Sequence, residues 1–301
     1  MRAAATALLA AVPGEHRASV QRPVTDPELR WLEYSPAPRP GVCLADLDRR
    51  GRKAAHRLLA TALTPHAYAQ AMAIVALEEV LDRAERWRKG RHSNDYWVIV
   101  FGEPGDDEWA WRFEGHHLSV TITVSDGEVF PTPVFLGANP AAVRYADRTV
   151  LRPLAIEEDL ARDLLDAMGP AGRVEAIVAN TAPADIHSGP SPRAATIEPF
   201  GVRGDRLPGP ARALLGELTA AYLARLPAEL TWPVDPADMH FAWEGGIGPG
   251  EGHYYRVQGP DLLIEYDNTA DDANHAHTVL RRPRADFGGD ALARHRASAE
   301  H

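Results

Sequence analysis

Three patterns are scarce in this 301-residue chain, and each scarcity excludes a class of protein. Cys43 is the only cysteine, so neither an internal disulfide nor a zinc site built from several thiolates can form. No apolar run approaches the roughly 20 residues that a transmembrane helix needs. The formal charge is −10 and no basic block offsets it, which argues against nucleic-acid binding because phosphate recognition depends on clustered Lys and Arg.

Familiar catalytic and targeting signals are also missing. The chain contains no G-x-S-x-G, no G-x-x-x-x-G-K-[ST] and no H-E-x-x-H. The apolar segment at residues 3–12 is rich in alanine, lacks a small-x-small cleavage site and has the period of an amphipathic helix. We therefore expect a cytoplasmic protein without a membrane partner.

The composition that remains is that of an ordinary globular protein. Hydrophobic residues make up 45% and charged residues 25% of the chain, which is enough for a sizeable core. The length allows one large domain or two of ordinary size, and we treat residues 1–301 as a single domain.

Helical and strand patterns alternate in blocks along the chain. Apolar spacing predicts helices at residues 3–12, 46–63, 64–87, 157–168, 211–226 and 290–297. Alternating or β-branched runs predict strands at residues 96–101, 109–124, 129–135, 239–243, 254–257, 261–267 and 275–280. Proline-rich segments near residues 36–40 and 187–210 predict irregular chain.

Collinear matches within the chain point to an internal repeat. Leu8-Leu9 matches Leu164-Leu165 at an offset of 156, and residues 111–115 match residues 255–259 at an offset of 144. We predict an α+β fold of two pseudo-repeated halves, about 1–150 and 151–301. Each half would be a helical pair followed by an antiparallel β meander.

Strand alternation indicates which polar residues share one face of the sheet. Leu118, Val120 and Ile122 should face the core, which sends His117 to the opposite side. In the matching strand Leu262, Ile264 and Tyr266 take the apolar role, so that Glu265 and Asp267 lie on the face equivalent to that of His117.

His275-Ala276-His277 supplies a second polar feature near the C-terminus. Residues i and i+2 of a strand point the same way, so two imidazoles would project side by side as metal ligands. We predict a metal site formed by His117, Glu265, His275 and His277. The alternative is that His275 and His277 only form hydrogen bonds within a polar face, while His116 has a packing or surface role.

Residues next to these ligands in the sequence supply candidate catalytic groups. Glu114 or Asp267 would act as the base, and the phenol of Tyr255 would polarise a substrate oxygen. Glu114 has an alternative as an ion-pair partner of Arg112 or Arg256. Most aromatic residues of the region are expected to pack in the core.

Four long stretches carry a resemblance to a known family. They are LATALTPHAYAQAMAIVALEEVL, WRFEGHHLSVTITV, VFLGANPAAVR and YYRVQGPDLLIEYDNTADDANHAHTVLRRPRADFG. With these motifs the chain resembles DUF3500, a large bacterial family of unknown function, over about residues 4–296. The resemblance implies one fold over that length and a site at the shared His116-His117, Glu265–Thr269 and Asn274–His277. It implies no particular reaction.

The residues favour a metal-dependent enzyme that acts on a small molecule. Histidine with carboxylate suits zinc first, and hydrolysis is the first reaction that we expect. An oxidoreductase with iron or copper uses similar ligands and is the closest alternative. A non-catalytic ligand-binding or structural protein is the remaining one. The sequence does not predict an oligomeric state.

Overall fold

A computed structural model of the chain describes residues 1–289, and the helix predicted at residues 290–297 lies outside the described residues. Within residues 1–289, no helix has both the length and the apolarity to cross a bilayer. The α-helices of this part are α1 (Arg2–Ala11), α2 (Arg17–Val20), α3 (Arg49–Leu59), α4 (Pro65–Ala84), α5 (Ala155–Ala167), α6 (Gly169–Ala176) and α7 (Gly209–Leu223).

Local capping determines where the two best-defined helices begin. Asp48 precedes α3 and its side chain accepts a hydrogen bond from Gly51 N at 2.7 Å. Thr64 precedes α4 in the same way and accepts from Ala67 N, while Pro65 occupies the first turn, where it costs no backbone hydrogen bond.

The strands form one large sheet and one small hairpin. They are β1 (Gln21–Arg22), β2 (Val42–Cys43), β3 (Tyr96–Phe101), β4 (Glu108–Gly115), β5 (Leu118–Ser125), β6 (Glu128–Phe130), β7 (Val134–Ala138), β8 (Val143–Tyr145), β9 (Arg148–Leu151), β10 (Ile177–Ala179), β11 (Val202–Arg203), β12 (His240–Gly245), β13 (His253–Gly259), β14 (Leu262–Ala270) and β15 (His275–Arg281). The order in the large sheet is β1-β3-β4-β5-β7-β15-β14-β13-β12-β10, and β8 pairs only with β9.

The sheet is mixed, and its centre is the pairing of β7 with β15. The outermost pairs, β1 with β3 and β10 with β12, are parallel, whereas the neighbours between them are antiparallel. At the centre, Gly137 lies opposite His277 and Leu136 opposite Thr278. The last strand within residues 1–289 therefore joins the strands of the first half to those of the second.

The two faces of the sheet are covered differently. The helices pack on one face, where Leu118, Val120, Ile122, Leu262 and Ile264 join the main hydrophobic core, as alternation predicts. The other face is covered by irregular chain. There Leu32 and Tyr34 from one proline-rich segment and Ile186 from the other pack against strand residues.

The α+β class is confirmed, and most predicted elements are present with shifted ends. The strand region predicted at residues 109–124 is two strands, β4 and β5, because a tight turn at His116-His117 reverses the chain. The hairpin β8–β9 and the short helix α6 were not predicted, since neither has a clear apolar period.

Candidate metal centre

Three imidazoles meet where β7 and β15 pair. His117 lies in the turn between β4 and β5, while His275 and His277 lie on β15. Ala276, between the latter two, joins the helix-side core, so both histidines point to the opposite face. One ring nitrogen from each of His117, His275 and His277 lies within 4.8 Å of the other two. The structure thus brings together three of the four predicted metal ligands.

The contact between His117 and His275 is the shortest in this cluster. Their Nε2 atoms are 2.8 Å apart, and the two rings meet edge to face with centroids 4.8 Å apart. The ring of His277 lies 5.4 Å from that of His117 and 4.7 Å from that of His275. The nitrogens are thus close enough to share one ion.

The backbone at His117 is held in a conformation that non-glycine residues rarely adopt. Its φ is +62°, in the left-handed region. Two backbone hydrogen bonds hold it there: His117 N donates to Tyr34 O at 3.3 Å, and His117 O accepts from Gly137 N at 2.7 Å. Such strain persists only where the surroundings fix the residue.

Gly137 provides the space into which two of the rings fit. A Cβ atom on this residue would lie 2.9 Å from Cδ2 of His117 and 3.1 Å from Cδ2 of His277. Both distances are shorter than an ordinary carbon–carbon contact of about 3.5–4.0 Å. The absence of a side chain on β7 therefore allows the imidazoles to approach each other.

Carboxylates occupy the outer nitrogens of the two β15 histidines. Nδ1 of His277 lies 2.8 Å from Oδ1 of Asp185, whose other oxygen accepts a hydrogen bond from the Tyr34 hydroxyl at 3.0 Å. Nδ1 of His275 lies 3.2 Å from Oδ2 of Asp271. This arrangement fixes ring orientation and is common around histidines that bind metals.

Burial keeps the central imidazoles neutral. Desolvation, followed by the neighbouring histidines, lowers the pKa of His117 well below its usual range. Burial, and then His277, lowers the pKa of His275 to about 4. Neutral imidazole is the form that binds a metal ion.

A buried carboxylate lies beside the cluster. Asp267 is the cross-strand partner of His277, and one oxygen or nitrogen from each of Asp185, Asp267 and His277 falls within 4.8 Å. Burial raises the pKa of Asp267 to about 6, although hydrogen bonds from Thr269 oppose the shift.

His116 extends the cluster on its other side. Its ring lies against that of His117, with a centroid distance of 3.6 Å and an angle of 33° between the ring planes. Its Nδ1 lies 2.6 Å from Oε1 of Glu78 on α4, and Glu78, His116 and His117 form a further group with ligand atoms within 4.8 Å. His116 is thus part of the polar constellation, beyond the packing role expected from the sequence.

Glu265 lies on the predicted face but outside these groups. It is fully buried, and its carboxylate accepts hydrogen bonds from Ser188 N at 3.1 Å and from the Tyr254 hydroxyl at 3.0 Å. Within residues 1–289, His277 belongs to two groups of potential ligands, one with His117 and His275 and one with Asp185 and Asp267. Neither group contains Glu265. Glu265 lies two residues before Asp267 on β14 and pairs with Val279, whereas Asp267 pairs with His277. This displacement along the strand separates Glu265 from the imidazoles.

Glu114 and Tyr255 also lie apart from the three imidazoles. Glu114 is fully buried and accepts a hydrogen bond from Arg112 Nε at 2.7 Å, which is the ion pair considered from the sequence. The Tyr255 hydroxyl donates to Glu157 O at 2.8 Å and contacts the Tyr222 hydroxyl at 2.8 Å, within the helix-side core. It therefore lies on the face of the sheet opposite to that of His277.

Comparison with known proteins places the whole described region in one family. The family model described as "Protein of unknown function (DUF3500)" matches residues 1–289. The chain belongs to the DUF3500 family. No curated protein and no solved structure matches this DUF3500 chain significantly.

Asp185, Glu78 and Gly137 of this DUF3500 chain were not predicted from the sequence as residues of the site. Asp185 lies in irregular chain and reaches His277 only through the fold. Glu78 lies within an amphipathic helix, where a single acidic residue carries no signal of a site. Gly137 lies in the motif VFLGANPAAVR, which carries the family resemblance, and this motif is the sequence signal that points to Gly137.

Proposed function

We propose that this protein is a metal-dependent enzyme whose ion is held by His117, His275 and His277. The observation that carries the proposal is the convergence of three imidazoles, with one ring nitrogen from each lying within 4.8 Å of the other two, while carboxylates hold the Nδ1 atoms of His275 and His277. Three protein ligands leave coordination positions open, as catalytic metals require.

Hydrolysis by a zinc ion is the first reaction that we propose for this site. A bound zinc ion would supply Lewis acidity. The chain would contribute Asp267 as the base, because its carboxylate lies within 4.8 Å of the His277 ligand atom and accepts a hydrogen bond from the neutral Thr269 hydroxyl. Glu114 and Tyr255 have no role in this reaction, because Glu114 accepts a hydrogen bond from Arg112 and Tyr255 donates one to Glu157 on α5. The substrate would be a small molecule.

A second candidate is an oxidoreductase that uses iron or copper. It is supported by the ligand types in the cluster, because imidazoles next to a carboxylate suit iron and copper as well as zinc.

Element analysis of protein purified without chelator tests the metal and identifies it. We expect about one ion per chain, lost in His275→Ala and in His277→Ala. A suitable control is His66→Ala, which removes an exposed imidazole from α4. If the wild-type protein holds no stoichiometric metal and the two site variants are as stable as the control, the proposed metal site is wrong.

We also propose that the chain is one domain that arose by internal duplication. Support comes from the strand order, in which β3-β4-β5-β7 on one side of the centre corresponds to β12-β13-β14-β15 on the other. Each meander carries a short parallel strand at its outer edge, β1 or β10. The long helix α4 has no partner of similar length after α7 within residues 1–289, which accounts for the change of offset between the matched segments.

A further inference from the structure

A separate pocket of about 380 Å³ opens beside the turn that carries His116. The segment at residues 36–38, the C-terminal half of α4, the segment at residues 89–91 and strand β3 surround it. Its volume lies in the range of small-molecule sites, which is about 300–1,000 Å³. One wall residue, His116, has its ring against that of His117, so the pocket lies one imidazole ring away from the proposed metal site.

The apolar part of the lining contains an aromatic ring. Pro36, Pro38 and Trp97 supply it. Trp97 is half-buried and lies on β3 opposite Glu114 of β4. An indole ring offers a flat apolar surface together with one hydrogen-bond donor.

The charged part of the lining contains both signs. Lys89 and Arg91 supply cations, and Glu78 and Asp95 supply carboxylates. The Arg91 guanidinium already donates from Nε and Nη2 to Glu85 at 2.8 and 3.0 Å. Glu78 is 4% exposed and lies 2.6 Å from Nδ1 of His116. The walls therefore carry two cationic and two anionic side chains.

This balance discriminates between classes of ligand. Because the two carboxylates offset the two cations, the lining offers a small anion or a small cation no net attraction. A hydroxyl group both donates and accepts, so a neutral ligand with several hydroxyls can satisfy carboxylates and cations together. A saturated ring also presents C–H surface to an indole and to prolines.

We propose that this pocket binds a neutral polyhydroxylated ring, that is, a monosaccharide or a cyclic polyol. The ring lies against Trp97, and its hydroxyls donate to Asp95 and Glu78 and accept from Lys89. The site does not depend on the proposed metal ion, because none of these three polar contacts involves His117, His275 or His277.

Calorimetric titration of the full chain, with chelator present throughout, tests the pocket apart from the metal site. The probes are glucose, galactose, mannose and myo-inositol, with benzoate and benzylamine as an anion and a cation of similar size. We expect saturable binding of at least one polyhydroxylated probe and none of the two charged ones. Trp97→Leu should weaken it at least tenfold and Lys89→Ala about threefold.

Trp87→Ala is the matched control, because this indole is 64% exposed and is not part of the lining. It should leave the affinity unchanged. Since Trp97 lies in a strand, Lys89→Ala on exposed chain keeps the test valid if Trp97→Leu fails to fold. Absence of saturable binding, equal affinity in Lys89→Ala and wild type, or tighter binding of benzoate or benzylamine would overturn the proposal.

Discussion

Replacement of Gly137 by alanine tests whether the three imidazoles are packed as described. The new Cβ would lie 2.9 Å from Cδ2 of His117, 3.0 Å from the Ala276 carbonyl oxygen and 3.1 Å from Cδ2 of His277. Two of these contacts are with rings held by further hydrogen bonds, and one is with the backbone of a central strand. Neither kind of neighbour can move away freely.

The size of the effect follows from two opposing terms. Overpacking of a buried site costs about 1–3 kcal/mol. Against it, alanine restricts the unfolded chain and stabilises by about 0.4–1 kcal/mol where the backbone conformation is compatible, as it is at Gly137. We expect a net loss of about 1–2 kcal/mol in the free energy of unfolding.

Urea unfolding followed by tryptophan fluorescence measures this loss. Gly209→Ala is the control, since a Cβ there meets nothing within 4 Å and the residue begins α7. It should be neutral or slightly stabilising. If Gly137→Ala proves as stable as Gly209→Ala, the rings do not occupy the space beside β7. In the same variant we expect zinc affinity to fall at least tenfold, measured by competition with a chromophoric chelator.

Three further predictions concern buried polar groups. Burial, and then the Arg162 guanidinium, lowers the pKa of the His253 imidazole to about 4, so the folded state binds fewer protons than the unfolded state below pH 6.5. This stabilisation is complete above pH 6.5 and is lost as the pH falls towards 4, by up to about 3 kcal/mol in urea curves, and His253→Gln should flatten that dependence. Asp286→Ala leaves the fully buried Arg281 without its carboxylate at 2.7 Å and should cost about 3–5 kcal/mol; unchanged thermal unfolding would contradict the buried pair. Tyr255→Phe removes the hydroxyl that donates to Glu157 O and should lower the free energy of unfolding by about 1–3 kcal/mol without changing the metal content. A loss of metal in this variant would show that Tyr255 contributes to the metal site.

The parts of the fold that could be predicted are those governed by local periodicity. Alternation in β5 and β14 correctly assigned Leu118 and Ile264 to the helix-side core. The same rule placed His275 and His277 on one side of β15, because i and i+2 share a face in any strand.

Position along a strand was harder to predict than the face. Glu265 and Asp267 share a face, and only the register of β14 with β15 decides that Asp267 lies opposite His277. That register depends on tertiary packing and is not encoded in the period of either strand. The metal role of Glu265 and the catalytic roles of Glu114 and Tyr255 remain predictions, and the hydrogen-bond partners of these residues lie outside the imidazole cluster.

The pairing of β7 with β15 has a consequence for how the chain folds during synthesis. The end of β7 at Ala138 and the start of β15 at His275 are 137 positions apart (275 − 138), so a ribosome working at about 5–20 residues per second needs roughly 7–27 s to pass from one to the other. Throughout that interval β7 lacks its partner β15, and an unpaired edge invites association with other chains. Arrival of β15 closes that edge and assembles the imidazole cluster in one step, so a nascent chain that has gained the cluster has also closed the edge of β7.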